Sequence, residues 1–340
     1  MKLEAEEAMS DRVPTPAQTK NTVARPLKVL STLKTPTAVV WLVMLLCFPL
    51  SRFFSDNFPS MGLARSVLLL GLFLAVIAFG QGIVILTGGV DLSIPATVAL
   101  AAYVTGFLAN DRLPTLVAIL LALALAACVG VVNGLVVARI NLPPFIVTLA
   151  VGTIMASLLL GVGRGAPAQP SPDSLARVFG GSQEILGVPT PVWVLILVIL
   201  VGVFIQSGTV FGRHVYAVGN SPKASEITGI PLARTLVLAY GVAAVSYGLG
   251  GVMLLGYGSG ADLNIGNPWL LPSIAAVVVG GSSIKGGSGS YLGTVGAVLL
   301  LTLIEIDIRA ASIPEGFRQA LYGLIIILAL IGGRISTRAR

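Results

Sequence analysis

Charge is distributed along this chain so that ten long stretches carry no charged residue at all: 35–51, 66–90, 92–110, 113–138, 140–163, 185–212, 235–261, 263–284, 286–304 and 319–333. A helix needs ~20 apolar residues to cross ~30 Å of hydrocarbon, and most of these stretches reach or approach that length. The shortest, 35–51 and 319–333, lengthen through Arg52 to Phe54 and through Arg318 when those arginines snorkel. In 263–284, Asn264, Asn267 and Pro268 delay the apolar part until Trp269, so that stretch is expected to be re-entrant or to cross only half the bilayer. Composition points the same way. With 10% charged residues against ~25% in soluble domains, 55% hydrophobic residues and a mean hydropathy of +0.95, the chain is excluded from being a soluble enzyme, a secreted disulfide scaffold or a disordered segment. A β-barrel would alternate apolar and polar residues instead of running them together. The expected fold is an all-α integral membrane protein of about ten transmembrane helices, some broken or re-entrant.

An even span number places both termini on one side. With that side cytoplasmic, fourteen of the 21 Lys and Arg fall inside and seven outside, which favours cytoplasmic termini. Residues 1–34 carry six basic and four acidic residues with no apolar core, so a cytoplasmic tail is expected there, with no cleavage, ahead of a transmembrane domain at 35–333 and a short cytoplasmic tail at 334–340. Two long polar connections fall on opposite sides: 164–184, turn-rich and periplasmic, and 208–234, cytoplasmic. The net charge of +7 comes from basic residues at the ends of apolar runs, a topological pattern and not a nucleic-acid patch.

Cys47 and Cys128 lie inside apolar runs and read as packing residues, and His214 is the lone histidine, so no metal site is expected. The chain has no phosphate-binding loop, no His-Glu-x-x-His and no Gly-x-Ser-x-Gly. Few acids lie in the spans, which leaves a carrier driven by protons or Na⁺ without evident coupling groups. The energy source is expected on another polypeptide.

Three clusters combine glycine with polar residues and are candidate helix breaks: Gly80-Gln81-Gly82, Thr87-Gly88-Gly89 and Gly280-Gly281-Ser282-Ser283. Broken helices in membranes line wet cavities or are covered by protein, but glycine also serves close packing, and the Gly80 to Gly89 region admits both readings. Asp91 divides what would otherwise be a 45-residue apolar run. Either it caps the helix that opens with Leu92-Ser93-Ile94-Pro95, or it binds a solute or ion. Asn133 has no nearby charge and reads as an interhelical hydrogen-bonding group or as a ligand. Glu305, Asp307 and Arg309 fit a solvated helix end.

Leu86-Thr87-Gly88-Gly89-Val90-Asp91-Leu92-Ser93-Ile94-Pro95, then Asn133-Gly134-Leu135 with Leu142-Pro143-Pro144-Phe145-Ile146-Val147-Thr148-Leu149, then Ala217 to Ile230 with Ile274 to Ser283 and Gly286 to Ser290, occur in that order. Together they resemble the permease subunits of bacterial ABC importers of the ribose/xylose/galactose class. The resemblance runs from about 85 to 295. It implies a multi-pass inner-membrane permease for a monosaccharide or related small polar solute, paired with a second permease copy or paralogue, two cytoplasmic ATPases and a periplasmic substrate-binding protein. ATP and magnesium would belong to the ATPases, and this chain would hold no cofactor and catalyse no reaction. The chain departs from the family at Ser225 and Glu226, where a second Ala and often Arg are usual, and at Pro95, where a small Gly is usual. Branched-chain amino acid permeases share the wider fold but lack the Gly-Gly-x-Asp-Leu-Ser turn. A self-sufficient ten-span secondary transporter is the alternative of another class.

Helix-breaking or polar character, with the resemblance, places the solute route at Gly88, Gly89, Asp91, Asn133, Phe145 and Thr148. In the 208–234 loop, Ser221 reads as an N-cap, Pro222 as the first helical residue and Gly229 as a terminator of about two turns. So short a helix is marginal alone in water, and either a partner surface or simple capping of the bundle accounts for it. The resemblance makes Asn220, Ser221, Pro222, Lys223, Ala224, Ser225, Glu226, Ile227, Thr228 and Gly229 the coupling element that docks in an ATPase groove.

Overall fold

The computed structural model describes residues 36–55, 58–110, 113–140, 142–162, 169–258, 260–314, 316–317 and 319–327. The expected tails at 1–34 and 334–340 lie outside the described residues. The helices are α1 (Pro36–Leu50), α2 (Met61–Leu86), α3 (Ile94–Ala109), α4 (Thr115–Ile140), α5 (Pro144–Val162), α6 (Asp173–Phe179), α7 (Thr190–Val203), α8 (Val210–Asn220), α9 (Pro222–Ile227), α10 (Leu232–Tyr257), α11 (Leu270–Val279) and α12 (Tyr291–Ala310). Residues 319–327 are also helical.

Among the described residues seven helices are long and apolar enough to cross a membrane: α1 extended to Phe53, α2, α4, α5, α7 extended to Gly208, α10 and α12. Two apolar helices are shorter, α3 and the segment Asn267–Val279 that contains α11. The delay of 263–284 by its two asparagines and Pro268 has the expected result, since α11 has only ten residues, about 15 Å of rise. Turn-rich 164–184 contains β1 (Gln169–Pro170), α6 and β2 (Glu184–Ile185) in its described part. β1 pairs antiparallel with β4 (Gly260–Ala261), and β2 with β3 (Val188–Pro189).

Which helices sit at the centre follows from what each buries. In α2, 83% of the apolar window is buried inside the protein, against 11% in α1. α10 and α12 are also mostly buried, whereas α4, α5 and α7 bury one side and leave leucines and isoleucines such as Leu120, Ile154 and Leu197 exposed. The exposed apolar sides suit lipid, so burial in water is not what packs these helices together, and close approach of backbones takes its place.

Small residues make that approach. A Cβ added at Gly130 of α4 would collide with the Tyr240 carbonyl of α10 and lie 2.6 Å from Ala244 Cβ, and one at Gly134 would lie 2.6 Å from Val237 Cα. Gly80 does the same for α2, where an added Cβ would be 2.7 Å from both the Ala243 carbonyl oxygen and the Tyr247 ring. Of the two readings open for Gly80-Gln81-Gly82, packing is the one observed and the candidate break is absent: α2 is continuous from Met61 to Leu86, and Gly80 packs against α10. Breaks do occur at Thr87-Gly88-Gly89 and at Gly280-Gly281, where α2 and α11 end. The expectation of a solvated end for Glu305, Asp307 and Arg309 holds for the Glu305–Arg309 ion pair at 2.6 Å, but Asp307 is buried.

Gly130→Val is expected to lower stability by about 1–3 kcal/mol through overpacking against α10. Gly161→Ala, where an added methyl meets nothing within 4 Å, is expected to be neutral. Thermal unfolding of the two variants in the same detergent checks the pair.

Candidate functional site

α2 ends where Gly88 takes φ +84°, a conformation that costs a Cβ-bearing residue and that glycine adopts freely. The Gly88 N–H donates to the Ile85 carbonyl (2.9 Å) and the Gly89 N–H to the Val84 carbonyl (3.2 Å), which satisfies carbonyls left orphaned at the helix end. The chain then reverses through Val90-Asp91-Leu92 into α3. Sixteen residues give α3 a length of about 24 Å, short of the ~30 Å hydrocarbon layer. Its Ala109 end leads to Asp111 and Arg112 in the sequence, whereas its Ile94 end is buried within the protein.

Asp91 is fully buried there. The position that caps α3 is Ser93, and Asp91 acts through it: its Oδ1 accepts from the Ser93 N–H (2.8 Å) and the Ser93 hydroxyl (2.6 Å). Asn133 of α4 donates from Nδ2 to Ser93 Oγ (3.0 Å). Thr148 of α5 accepts from the Leu92 N–H at 2.9 Å, and its own hydrogen reaches the carbonyl of Val90 (3.3 Å) or Phe145 (3.4 Å). Three helices are thus pinned to one turn. Asp91 Oδ2, Asn133 Oδ1 and the Tyr240 hydroxyl are buried without a hydrogen-bond partner among the described residues. A Cβ on Gly89 would lie 2.5 Å from that hydroxyl.

Of the six residues expected along a route, Gly88, Gly89, Asp91, Asn133 and Thr148 therefore come together. Phe145 meets them only through its carbonyl, which faces the Thr148 hydroxyl, and the residue is 51% exposed. Ser93 and Tyr240 complete the cluster; Ser93 bonds Asp91 locally, but its meeting with Asn133 and the placing of Tyr240 are set across helices and leave no trace in sequence spacing.

The second candidate set lies at the same end of the bundle. Ser221 ends α8, with its N–H donating to the Ala217 carbonyl (3.1 Å), and caps α9, with its Oγ accepting from the Ala224 N–H (3.3 Å). Pro222 is the first residue of α9, and Gly229 at φ +82° closes it, its N–H donating to Glu226 and that of Ile230 to Ser225. Lys223, Ala224, Glu226, Ile227 and Thr228 are exposed, and Ser225 is buried against the body of the protein.

These two sets meet through a third segment. Asn220 Nδ2 donates to the Gly287 carbonyl (3.0 Å), and the Gly287 N–H donates to the Leu86 carbonyl (2.9 Å) at the end of α2. A Cβ at Gly219 would collide with that Leu86 carbonyl, and one at Gly286 would lie 2.8 Å from the Gly88 nitrogen. Tyr216 adds a hydroxyl bond to the Gly289 carbonyl (2.7 Å). The residue before the α9 cap is thus two hydrogen bonds from the turn that holds Asp91. Groups of three or more His, Cys, Asp or Glu able to hold a metal ion are absent among the described residues.

Residues 63–330 match the family described as the branched-chain amino acid transport system permease component. The chain belongs to this family. As a permease component it is a transport subunit and not an enzyme, and a multi-pass membrane protein. It is 31% identical over 259 residues to the ribose import permease protein RbsC of Escherichia coli K12, covering 76% of this chain and 81% of that one. To the autoinducer 2 import system permease protein LsrD of Escherichia coli SMS-3-5 it is 32% identical over 267 residues, 77% of this chain and 81% of that one, and to LsrD of Photorhabdus temperata 31% over 269 residues, 77% and 80%. No solved structure matches the chain. The self-sufficient secondary transporter is set aside by the family, and the order of motifs that resembled importer permeases from about 85 to 295 lies within the matched residues.

Asp91→Asn keeps an oxygen that accepts from Ser93, so this variant is expected to fold normally and to retain uptake. Asp91→Ala loses both bonds and is expected to cost about 1–3 kcal/mol. Unfolding temperature and transport at matched membrane abundance check the two; lost transport in a normally abundant Asp91→Asn protein shows that the carboxylate charge itself is needed.

Proposed function

We propose that this chain forms the membrane pathway of a binding-protein-dependent importer for a monosaccharide or related small polar solute, powered by separate ATPase subunits. The observation that carries the reading is the exposed α9, outside the apolar helices, locked through Asn220 and Gly287 to the buried Asp91 turn. A helix of six residues has little stability of its own. Its elaborate capping, with Ser225 anchored and five neighbours facing outward, suits a surface kept in shape for a partner.

In this reading α9 with Asn220, Thr228 and Gly229 is the coupling element, seated in a groove of a cytoplasmic ATPase that binds ATP and magnesium. Two such ATPases and two permease copies or paralogues make the membrane assembly, and a periplasmic binding protein delivers the solute. The relatives named for ribose and autoinducer 2 import support a small hydroxylated solute over a branched-chain amino acid. The membrane domain has about ten transmembrane helices, some broken or re-entrant, counting the seven long helices with the shorter α3, α11 and the helix at 319–327, each of which overlaps one of the ten charge-free stretches. Both termini, the tails at 1–34 and 334–340 and the 208–234 loop are cytoplasmic, 164–184 is periplasmic, and 35–333 is the transmembrane domain. Gly88, Gly89, Asp91, Asn133 and Thr148 border the inner part of the route, and Phe145, exposed on α5, is not among them.

Ala224 is exposed on α9, so Ala224→Trp is expected to leave insertion and abundance unchanged and to abolish both uptake and recovery of the ATPase that co-purifies with the unaltered chain from native membranes. Retention of both removes the coupling role. Reporter fusions after Arg139, Lys223 and Arg340 are expected to read cytoplasmic and one near Pro170 periplasmic; a periplasmic Lys223 reverses the orientation.

A further inference from the structure

Between α3, α5 and residues 262–267 lies a groove of about 490 Å³, within the range of small-molecule sites. Its α5 wall is one helix face: Leu149, Gly152, Thr153, Ala156, Ser157 and Leu160 follow the spacing of residues stacked on one side. Leu263, Asn264 and Asn267 form the opposite wall, and Leu92 and Pro95, one and four residues after Asp91, line its deep end with Ala96.

Residues 260–267 are not regular helix, yet they lie alongside a membrane helix. Ala261 pairs with Gln169, which packs at Gly106 of α3, while Gly266 packs on Pro95, about 16 Å away along the same helix. Irregular backbone at membrane depth is tolerated where it is covered by protein or lines water, and asparagines facing lipid are costly. Asn264 and Asn267 are both exposed, as are Thr153 and Ser157 across the groove. Asn267 Nδ2 donates to Asn264 Oδ1 (3.1 Å) and the Asn264 N–H to Asp262 Oδ1 (2.7 Å). The Asn264 side-chain nitrogen and the Asn267 side-chain oxygen take no part in those bonds, which leaves amide N–H donors and a carbonyl acceptor, both of which a sugar hydroxyl can pair with.

We propose that this groove is the wet passage for a polyhydroxylated solute, with Asn264, Asn267, Thr153 and Ser157 as its hydrogen-bonding lining and the Asp91 turn as the buried support of its deep end. The assignment rests on the importer function above but is tested without solute, ATPase or binding protein. Cys47 and Cys128 are replaced by alanine, and single cysteines are placed at Ser157 and Asn264, with Leu120 and Leu158 as exposed apolar controls on α4 and α5. Each full-length variant, checked for the parent's unfolding temperature, is held in lipid nanodiscs that open both faces and treated with a charged, membrane-impermeant methanethiosulfonate. Ser157→Cys and Asn264→Cys are expected to react at least ten-fold faster than Leu120→Cys and Leu158→Cys. Equal rates in the two sets place the groove against lipid and overturn the proposal. Slow reaction accompanied by disulfide-linked dimers through Ser157→Cys makes the groove a dry interface between copies, and overturns it as well. Fast labelling in a protein that then fails to take up sugars leaves the passage standing and refutes the solute class alone.

Discussion

Hydrocarbon offers no hydrogen bonds, so a chain that interrupts a helix inside a bilayer must supply partners for the freed backbone from its own side chains. The turn between α2 and α3 meets that demand with four residues. Asp91 and Ser93 close the reversal locally, Thr148 takes the Leu92 N–H, and Asn133 holds the serine hydroxyl from another helix. Much else depends on this arrangement. Residues 260–267 run beside α3 from Gly106 to Pro95, and with α5 they frame the groove. Because the bonds come from α4 and α5, those two helices are fixed to the turn even though most of their surface faces outward.

The legible features were those set by local chemistry. Charge-free runs marked the helices because one charged side chain in hydrocarbon is costly wherever it falls. The shortness of α11 followed from Asn264, Asn267 and Pro268, and the ends of α9 from Ser221, Pro222 and Gly229, since caps act within a few residues. Glycine clusters were ambiguous for a physical reason: the absence of a Cβ allows both a reversal, as at Gly88, and close helix contact, as at Gly80, and only the neighbour decides. Contacts distant in sequence left no trace in spacing. Asn133 meets Ser93 across 40 residues, Asn220 meets Gly287 across 67, and Gln206, presented by a single widened turn at Phe204–Gly208, accepts the Tyr291 N–H across 85.

The junction of Asn220, Gly287 and Leu86 bears on how a signal at α9 could reach the groove. A ligand shifts a conformational equilibrium only by its differential affinity for the two states, and a compliant connection between sites dissipates that difference. Here the connection has little compliance. Gly219, Gly286 and Gly88 bring backbone directly against backbone, where there are no side-chain rotamers to absorb a displacement. Any movement of α9 relative to α2 must therefore either break the Asn220 and Gly287 bonds or carry Leu86 with it. Leu86 opens the turn, and the turn leads through Leu92 into Pro95 of α3 at the deep end of the groove. In the proposed importer, closure of the ATPases would act on the passage through five residues of turn, a shorter path than any along the length of a helix.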